Sequence, residues 1–377
     1  MSYRIRLVRP SLADREAIDA AVDAMYATGQ LTNFGPRCVE LEQAVAAFTG
    51  AKHAAAVANA TSGLWLLLNT LPPGEVIVPS FTFLATGQAI TTNSVPVTPV
   101  FADIDPDTLN VSPESVARCI TPRTVAIVGV HLFGVPVDVE ALQAIARERD
   151  VPLFLDAAHA FGSRHRGVPV GTFGDAEVFS ISATKVLPGG EGGVITTNSD
   201  LLHRRMLDRR NYGFLADGSG DCENDGLNAK ITEFSAAMAV RAMDTIGWRL
   251  DCRNELARMY RELLGDVPGI RFQTIPADDV TTVKDFTIRI DAGDFGMSRD
   301  ALQENLKTRG IETAAYFSRP LHRMTRFRQF PCDGVLPETE QAAERILSLP
   351  LFEELTRAEV EEVAAAIREL SHASRAA

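Results

Sequence analysis

The stretches Leu153-Phe154-Leu155-Asp156-Ala157-Ala158-His159 and Glu177-Val178-Phe179-Ser180-Ile181-Ser182-Ala183-Thr184-Lys185 decide how the chain folds. Each begins as a short apolar run, the length of a strand buried on both faces, and each gives way to polar residues. Working outward, runs of the same kind lie at 54–57, 75–79, 95–101, 124–130 and 194–197. Helical patterns at 61–69, 83–93 and 138–149 separate several of them. Strand–helix alternation predicts an α/β fold: a mostly parallel seven-stranded sheet sandwiched by helices.

The pattern changes near Lys230. A long helical stretch runs to about Leu264, followed by candidate strands 271–274 and 282–290 and candidate helices 298–308, 338–348 and 357–370. The expected division is a large domain over 1–250 and a smaller α+β C-terminal domain over 251–377. The N-terminal helices, 12–26 and 39–48, could pack on either one.

The 377 residues exceed one small core, and 46% hydrophobic with 23% charged residues reads as globular, not disordered. A net charge of -12 argues against nucleic acid and anionic membranes as partners. The first ten residues hold three arginines but no apolar signal core, and no apolar run reaches the ~18 residues that span a bilayer. The five cysteines are scattered and without C-x-x-C spacing, so they read as reduced thiols in a cytoplasmic protein with no metal site.

In open α/β sheets, ligands sit outside the carboxyl ends of the strands. After the first strand, Asn59-Ala60-Thr61-Ser62-Gly63 opens a helix; its free N–H groups suit a phosphate, or Thr61 or Ser62 is simply an N-cap. After the second, Phe83 either stacks on a planar ring or packs in the core. Asp156 emerges at the end of an apolar strand. There a carboxylate can bind a protonated pyridine nitrogen, cap the next segment, or bind a metal with His159, although no third ligand is near. Lys185 lies among small residues before Gly189-Gly190-Glu191-Gly192-Gly193, as an imine-forming nucleophile or as a surface lysine beside a turn.

The order of these features (phosphate cup, aromatic, strand-end Asp, Ser and Lys) is the layout of fold-type I pyridoxal-phosphate (PLP) enzymes. The chain resembles the DegT/DnrJ/StrS family of PLP-dependent sugar aminotransferases over essentially its whole length. The matching segments include Gly35-Pro36, Phe101-Ala102-Asp103-Ile104-Asp105, Thr121-Pro122-Arg123-Thr124, His131-Leu132-Phe133-Gly134, Glu191-Gly192-Gly193, Gly226 to Phe234, and Tyr316 to His322. The resemblance implies that Lys185 forms the Schiff base and then moves the proton. It implies that Asp156 pairs with the pyridine nitrogen, Phe83 stacks on the ring and His159 lies near it. Thr61, Ser62 and Ser180 would hold the phosphate. Asn228 would reach the phosphate of a neighbouring subunit, making a homodimer with shared sites. Tyr316 and His322 would line the sugar entrance.

The implied reaction is transamination of a keto-sugar, a nucleotide-linked (dTDP) 4-keto-6-deoxyhexose, with L-glutamate or L-glutamine as amino donor. The alternatives are a 3-keto-sugar or aminocyclitol aminotransferase, a non-transaminating PLP enzyme, and a PLP-binding regulatory protein. The chain departs from the family at Ser182, where many relatives carry His, and at Ala229-Lys230, where Tyr-Arg is commoner. A dehydratase subfamily replaces the lysine by His, which Lys185 argues against. A nucleotide-binding oxidoreductase ranks last, because the first turn lacks G-x-G-x-x-G.

Overall fold

A computed structural model describes residues 3–215 and 218–376. Strands β1 (His53–Val57), β2 (Gly74–Pro79), β3 (Val97–Ala102), β4 (Thr124–Val130) and β5 (Leu153–Asp156) alternate with helices. A short hairpin, β6 (Arg164–His165) with β7 (Val168–Pro169), precedes β8 (Ala176–Ser180) and β9 (Gly193–Thr197). Apart from the hairpin these form a seven-stranded sheet in the order β1-β9-β8-β5-β4-β2-β3. It is parallel from β8 to β3, while β9 runs antiparallel to both β1 and β8. Alternation along β2 shows why the central strands are apolar throughout. Val76 and Val78 join one core with Phe101, Val128 and the helix Ala60–Leu68, while Ile77 joins Ile127, Leu155 and Leu142 on the other face.

The strands converge their carboxyl ends on one edge. Val130 lies opposite Asp156, and Asp156 opposite Val178, so the loops after β4, β5 and β8 are neighbours. Asn59, just after β1, caps the helix Ala60–Leu68 by accepting from Ser62 N–H at 2.8 Å. The cap is therefore Asn59, not Thr61 or Ser62, whose backbone is already helical. Gly193 passes this helix start so closely that a Cβ there would lie 2.7 Å from the Ala60 nitrogen.

A second core gathers Tyr260, Phe286, Ile288, Leu302, Leu347 and Val363 around a three-stranded antiparallel sheet of β10 (Ile270–Phe272), β11 (Phe286–Ile290) and β12 (Ile346–Leu349). Ile5 is buried in it and bridges Ile311. The N-terminal helices Arg15–Thr28 and Pro36–Thr49 instead pack on the helix Glu233–Met243, the second also on β1. The chain also returns late to the large sheet. Leu321, Phe327 and Leu336 join its core, with Phe327 edge-on to Phe101 at 6.2 Å. The tail is thus not one contiguous unit. Among the described residues no helix is long and apolar enough to cross a membrane.

Three local expectations change. The stretch 230–264 is two helices, Glu233–Met243 and Ile246–Leu264, parted at Asp244-Thr245. The Thr245 hydroxyl bonds back to the Ala242 carbonyl at 3.2 Å and receives Arg249 Nε at 3.1 Å, a side-chain alternative to the helix ladder. The helix expected over 338–348 ends at Arg345, because 346–349 pair with β11. The strand expected over 282–290 starts only at Phe286, since Thr282 bonds instead to Ser163 and His159.

Glu233 explains how the start of the second N-terminal helix is held. The helix Pro36–Thr49 starts after Gly35, which has no side chain to cap it. The buried Glu233 carboxylate caps it from a distance, accepting from Arg37 N–H at 2.8 Å and Cys38 N–H at 3.1 Å. A Cβ on residue 35 would sit 2.6 Å from the Glu233 Cδ, so the glycine makes room for its own cap. Glu233→Ala is expected to destabilise the fold by about 1–3 kcal/mol through two orphaned N–H groups. Urea unfolding checks this; a loss under about 0.5 kcal/mol would mean that water replaces the cap.

Candidate active site

A cavity of about 370 Å³ opens at the carboxyl edge of the sheet, between the two cores. Thr61, Phe83, Asp156, His159, Ser180, Lys185 and Tyr316, all singled out in the sequence, line it. A larger hollow of about 550 Å³, walled by Leu71, Pro152 and Arg205, lies at the opposite edge and includes none of them.

Asp156 ends β5 and is buried. Its carboxylate accepts from the Thr86 hydroxyl at 2.8 Å and from Ala158 N–H at 3.0 Å. Burial pushes this carboxyl up, opposed by the Thr86 and Ala158 bonds and by the charge of Lys185. A cationic N–H partner is what such a carboxylate lacks. His159 follows three residues later. Its Nδ1 accepts from Phe133 N–H at 3.3 Å, and its ring stacks on Phe133 with centroids 6.1 Å apart. Burial, then Lys185, hold it well below the ordinary histidine range, so the imidazole is neutral at pH 7. Among the described residues no cluster of three or more acidic, His or Cys residues could take a metal, so Asp156 and His159 gain no third ligand.

Lys185 sits on the turn after β8, held by backbone bonds from Ala183 N–H to Gly190 and from Gly189 N–H to Ile181. Burial and the neighbouring Lys284 bring its ammonium down to about 8, against the pull of Asp285, Asp156 and Glu191. It is therefore an amine that loses its proton readily, the state needed for attack on an aldehyde. At the other end of the cavity, the N–H groups of Ala60 and Thr61 open the helix and bond to nothing among the described residues. With Ser180 they form an anion cup. Phe83 covers the mouth with 57% of its surface exposed, 6.1 Å from the Phe317 ring.

Two residues expected at the cavity, Ser62 and His322, lie outside its wall, as does Asn228, which is expected to serve a neighbouring subunit's site. Ser62 donates its hydroxyl to Asn59 Oδ1 at 3.0 Å. His322 is clamped between Ser80 Oγ at 2.6 Å and Glu340 Oε1 at 2.6 Å and does not line the cavity. Asn228 is exposed, on a bridge with Asn211. The cavity also holds Asn59 and Glu191, which lie in the quoted strand-end motifs without an assigned role, and Lys284 and Asp285, which the strand-end reading passed over, as it did Thr86 behind Asp156. Thr86 lies inside a helix pattern, and Lys284 and Asp285 lie inside a strand pattern, so neither carried a local signal.

A strand-end carboxylate and a lysine of lowered basicity across one cavity, with a helix start between, are the arrangement of a PLP enzyme of fold type I. The chain belongs to the DegT/DnrJ/EryC1/StrS aminotransferase family, whose profile matches residues 13–368. It is similar to DesI, solved in the presence of its TDP-sugar product, with 39% identity over 99% of this chain and 94% of that one and a TM-score of 0.93. The aminotransferase TlmJ from Streptoalloteichus hindustanus shows 32% identity over 99% and 100% of the two chains, TM-score 0.89. DesV from S. venezuelae, solved in complex with a ketimine intermediate, shows 31% identity over 97% and 99%, TM-score 0.88.

The enzyme is PLP-dependent, and its residues fit the cofactor: a cation-seeking carboxylate, an anion cup and a deprotonable lysine share one cavity. Loading of apoprotein with PLP is expected to accelerate about tenfold per pH unit up to about pH 8 and level off above it, because only the neutral amine attacks. Absorbance after mixing, across that range, checks the slope. A flat profile would show that Lys185 ionisation does not limit loading.

Proposed function

We propose that the enzyme transfers an amino group from L-glutamate or L-glutamine to a nucleotide-linked keto-sugar, a dTDP-4-keto-6-deoxyhexose. The observation that carries this reading is the likeness to DesI, at 39% identity over nearly the full length, together with a cavity that opens past Phe83 and Tyr316. Pyridoxal phosphate, when bound, supplies an aldehyde that accepts the amino group and a ring that draws electrons from the substrate carbon.

The chain's own residues do the rest. Lys185 Nζ anchors the cofactor, and once released it takes the proton from the donor Cα and later delivers one to the former ketone carbon of the sugar. Asp156 keeps the pyridine nitrogen protonated. Ala60 N–H, Thr61 and Ser180 receive the phosphate, and Phe83 covers the ring face. His159, neutral, packs beside the ring without adding charge. Tyr316, whose phenol burial keeps protonated, offers a hydrogen bond to a sugar oxygen. The active unit is a homodimer. The exposed Asn228, with the exposed rings of Tyr212 and Phe214 nearby in the chain, presents a surface suited to a second copy.

The test is a spectrum of the PLP-loaded enzyme, taken with L-glutamate or L-glutamine and then with dTDP-4-keto-6-deoxyglucose. Loss of the visible band with donor, its return with sugar, and a dTDP-amino sugar by mass spectrometry are expected. Bleaching by donor without return would keep transamination and exclude this sugar.

A further inference from the structure

Lys284 and Asp285 face the cavity from the small-domain side and have no part in the roles above. Lys284 Nζ and Asp285 Oδ1 pair at 2.8 Å, with side chains only 7% and 10% exposed. A buried ion pair is poor evidence of stability, since apolar residues of like volume serve as well. The backbone that delivers the pair is held in place at several points. Thr282 donates its hydroxyl to the His159 carbonyl at 2.7 Å, and Lys284 N–H donates to the Phe133 carbonyl at 2.9 Å. Arg253, itself buried against Glu353 at 2.8 Å, clamps the carbonyls of Val283 and Lys284. Between them Val283 takes a φ of 45°, a conformation that β-branched residues avoid and that persists only when the surroundings impose it.

The cavity has to admit two unlike substrates in turn. The amino donor carries a carboxylate beside its amine, and the keto-sugar ring carries none. Among the described residues lining the cavity, the cations are Lys185 and Lys284. Lys185 is committed to the cofactor, which leaves Lys284. We propose that Lys284 is the receptor for the α-carboxylate of the amino donor, and that Asp285 is its internal counter-ion, neutralising it while the uncharged sugar ring occupies the site. Burial would raise the Asp285 carboxyl, but the charge and hydrogen bond of Lys284 outweigh it and keep the group ionised. Incoming carboxylate and Asp285 thus compete for one ammonium. This rests on the reading that an amino acid is the donor.

The competition gives the two partners effects of opposite sign. The probe is the α-methyl derivative of whichever donor bleaches the wild-type band, since it has no Cα proton to lose; n-butylamine serves as a carboxylate-free amine. Both are titrated calorimetrically into PLP-loaded enzyme. Lys284→Met is expected to weaken the α-methyl amino acid about 10- to 100-fold while n-butylamine stays within about twofold. Asp285→Asn is expected to tighten the amino acid several-fold. An unchanged affinity in Lys284→Met, an equal loss for both amines, or a loss of amino-acid affinity in Asp285→Asn would overturn the proposal and leave the pair structural. If neither L-glutamate nor L-glutamine bleaches the wild type, the amino-donor reading falls first and takes this proposal with it.

Discussion

Lys185→Ala is expected to yield a folded protein that lacks the visible band of lysine-bound pyridoxal phosphate and transaminates roughly 10⁴-fold more slowly or worse. In the proposed mechanism the side chain has two tasks. It anchors the cofactor through Nζ, and the same nitrogen then shuttles the substrate proton, so one deletion removes a nucleophile and a general base together. The fold should tolerate the change. The turn that carries residue 185 is held by the buried Ile181, Val186 and Leu187 and by backbone bonds to Gly190 and Gly192, none of which uses the lysine side chain. Phosphate cup and Asp156 remain, so the variant should still take up PLP without a covalent bond. Absorption spectra and single-turnover rates with L-glutamate or L-glutamine measure both effects. A variant that keeps the band, or loses less than about tenfold in rate, would remove Lys185 from the mechanism.

Asp156→Asn is expected to keep the cofactor on Lys185 and slow the donor half-reaction roughly 10²- to 10³-fold. Both carboxylate oxygens of Asp156 already accept a donor, from Thr86 and from Ala158. An amide must turn its NH₂ toward one of these, and it carries no charge to hold a proton on the pyridine nitrogen. The electron sink weakens while the attachment chemistry at Lys185 survives. The effect should therefore fall on the rate of donor conversion much more than on donor affinity. If Asp156→Asn converts donor at the wild-type rate, the carboxylate is a structural cap and another group handles the ring nitrogen. Read with the Lys284 and Asp285 variants, the pattern separates three functions in one cavity: proton transfer at Lys185, charge at the ring through Asp156, and donor recognition at the small-domain wall.

The parallel sheet was legible in the sequence for a physical reason. Strands such as 124–130 and 153–156, covered on both faces, must be apolar along their whole length, and these two appear in the structure with the expected bounds. Their ends were legible too, because a polar residue directly after such a run has to point into the crevice where the loops meet. Asp156 and Ser180 are legible that way, and Lys185 by its unusual place among small residues and glycines. Thr61 and Ser62 are competent caps by residue type, and only the backbone shows that Asn59 is the residue still extended and capping the helix.

Long-range pairing decided the rest. Residues 346–349 continue an apolar pattern that suits a helix or a strand, and only the free edge of β11 settles the choice. Nothing local announces that Glu233 caps a helix nearly two hundred residues earlier, or that 321–336 return to the large core. The resemblance implies an entrance role for His322, but Ser80 and Glu340 hold its ring and it does not line the cavity. Lys284 and Asp285 read as part of a strand until the contacts of Thr282 and Arg253 turn them into the cavity. The sequence by itself determined the sheet and the order of the strand-end residues, because periodicity and composition are local consequences of burial, and the resemblance of that order to fold-type I PLP enzymes implied the cofactor chemistry. Only the tertiary structure decided which charges face the substrate, because a charged side chain gains its meaning from partners that the chain brings together by folding.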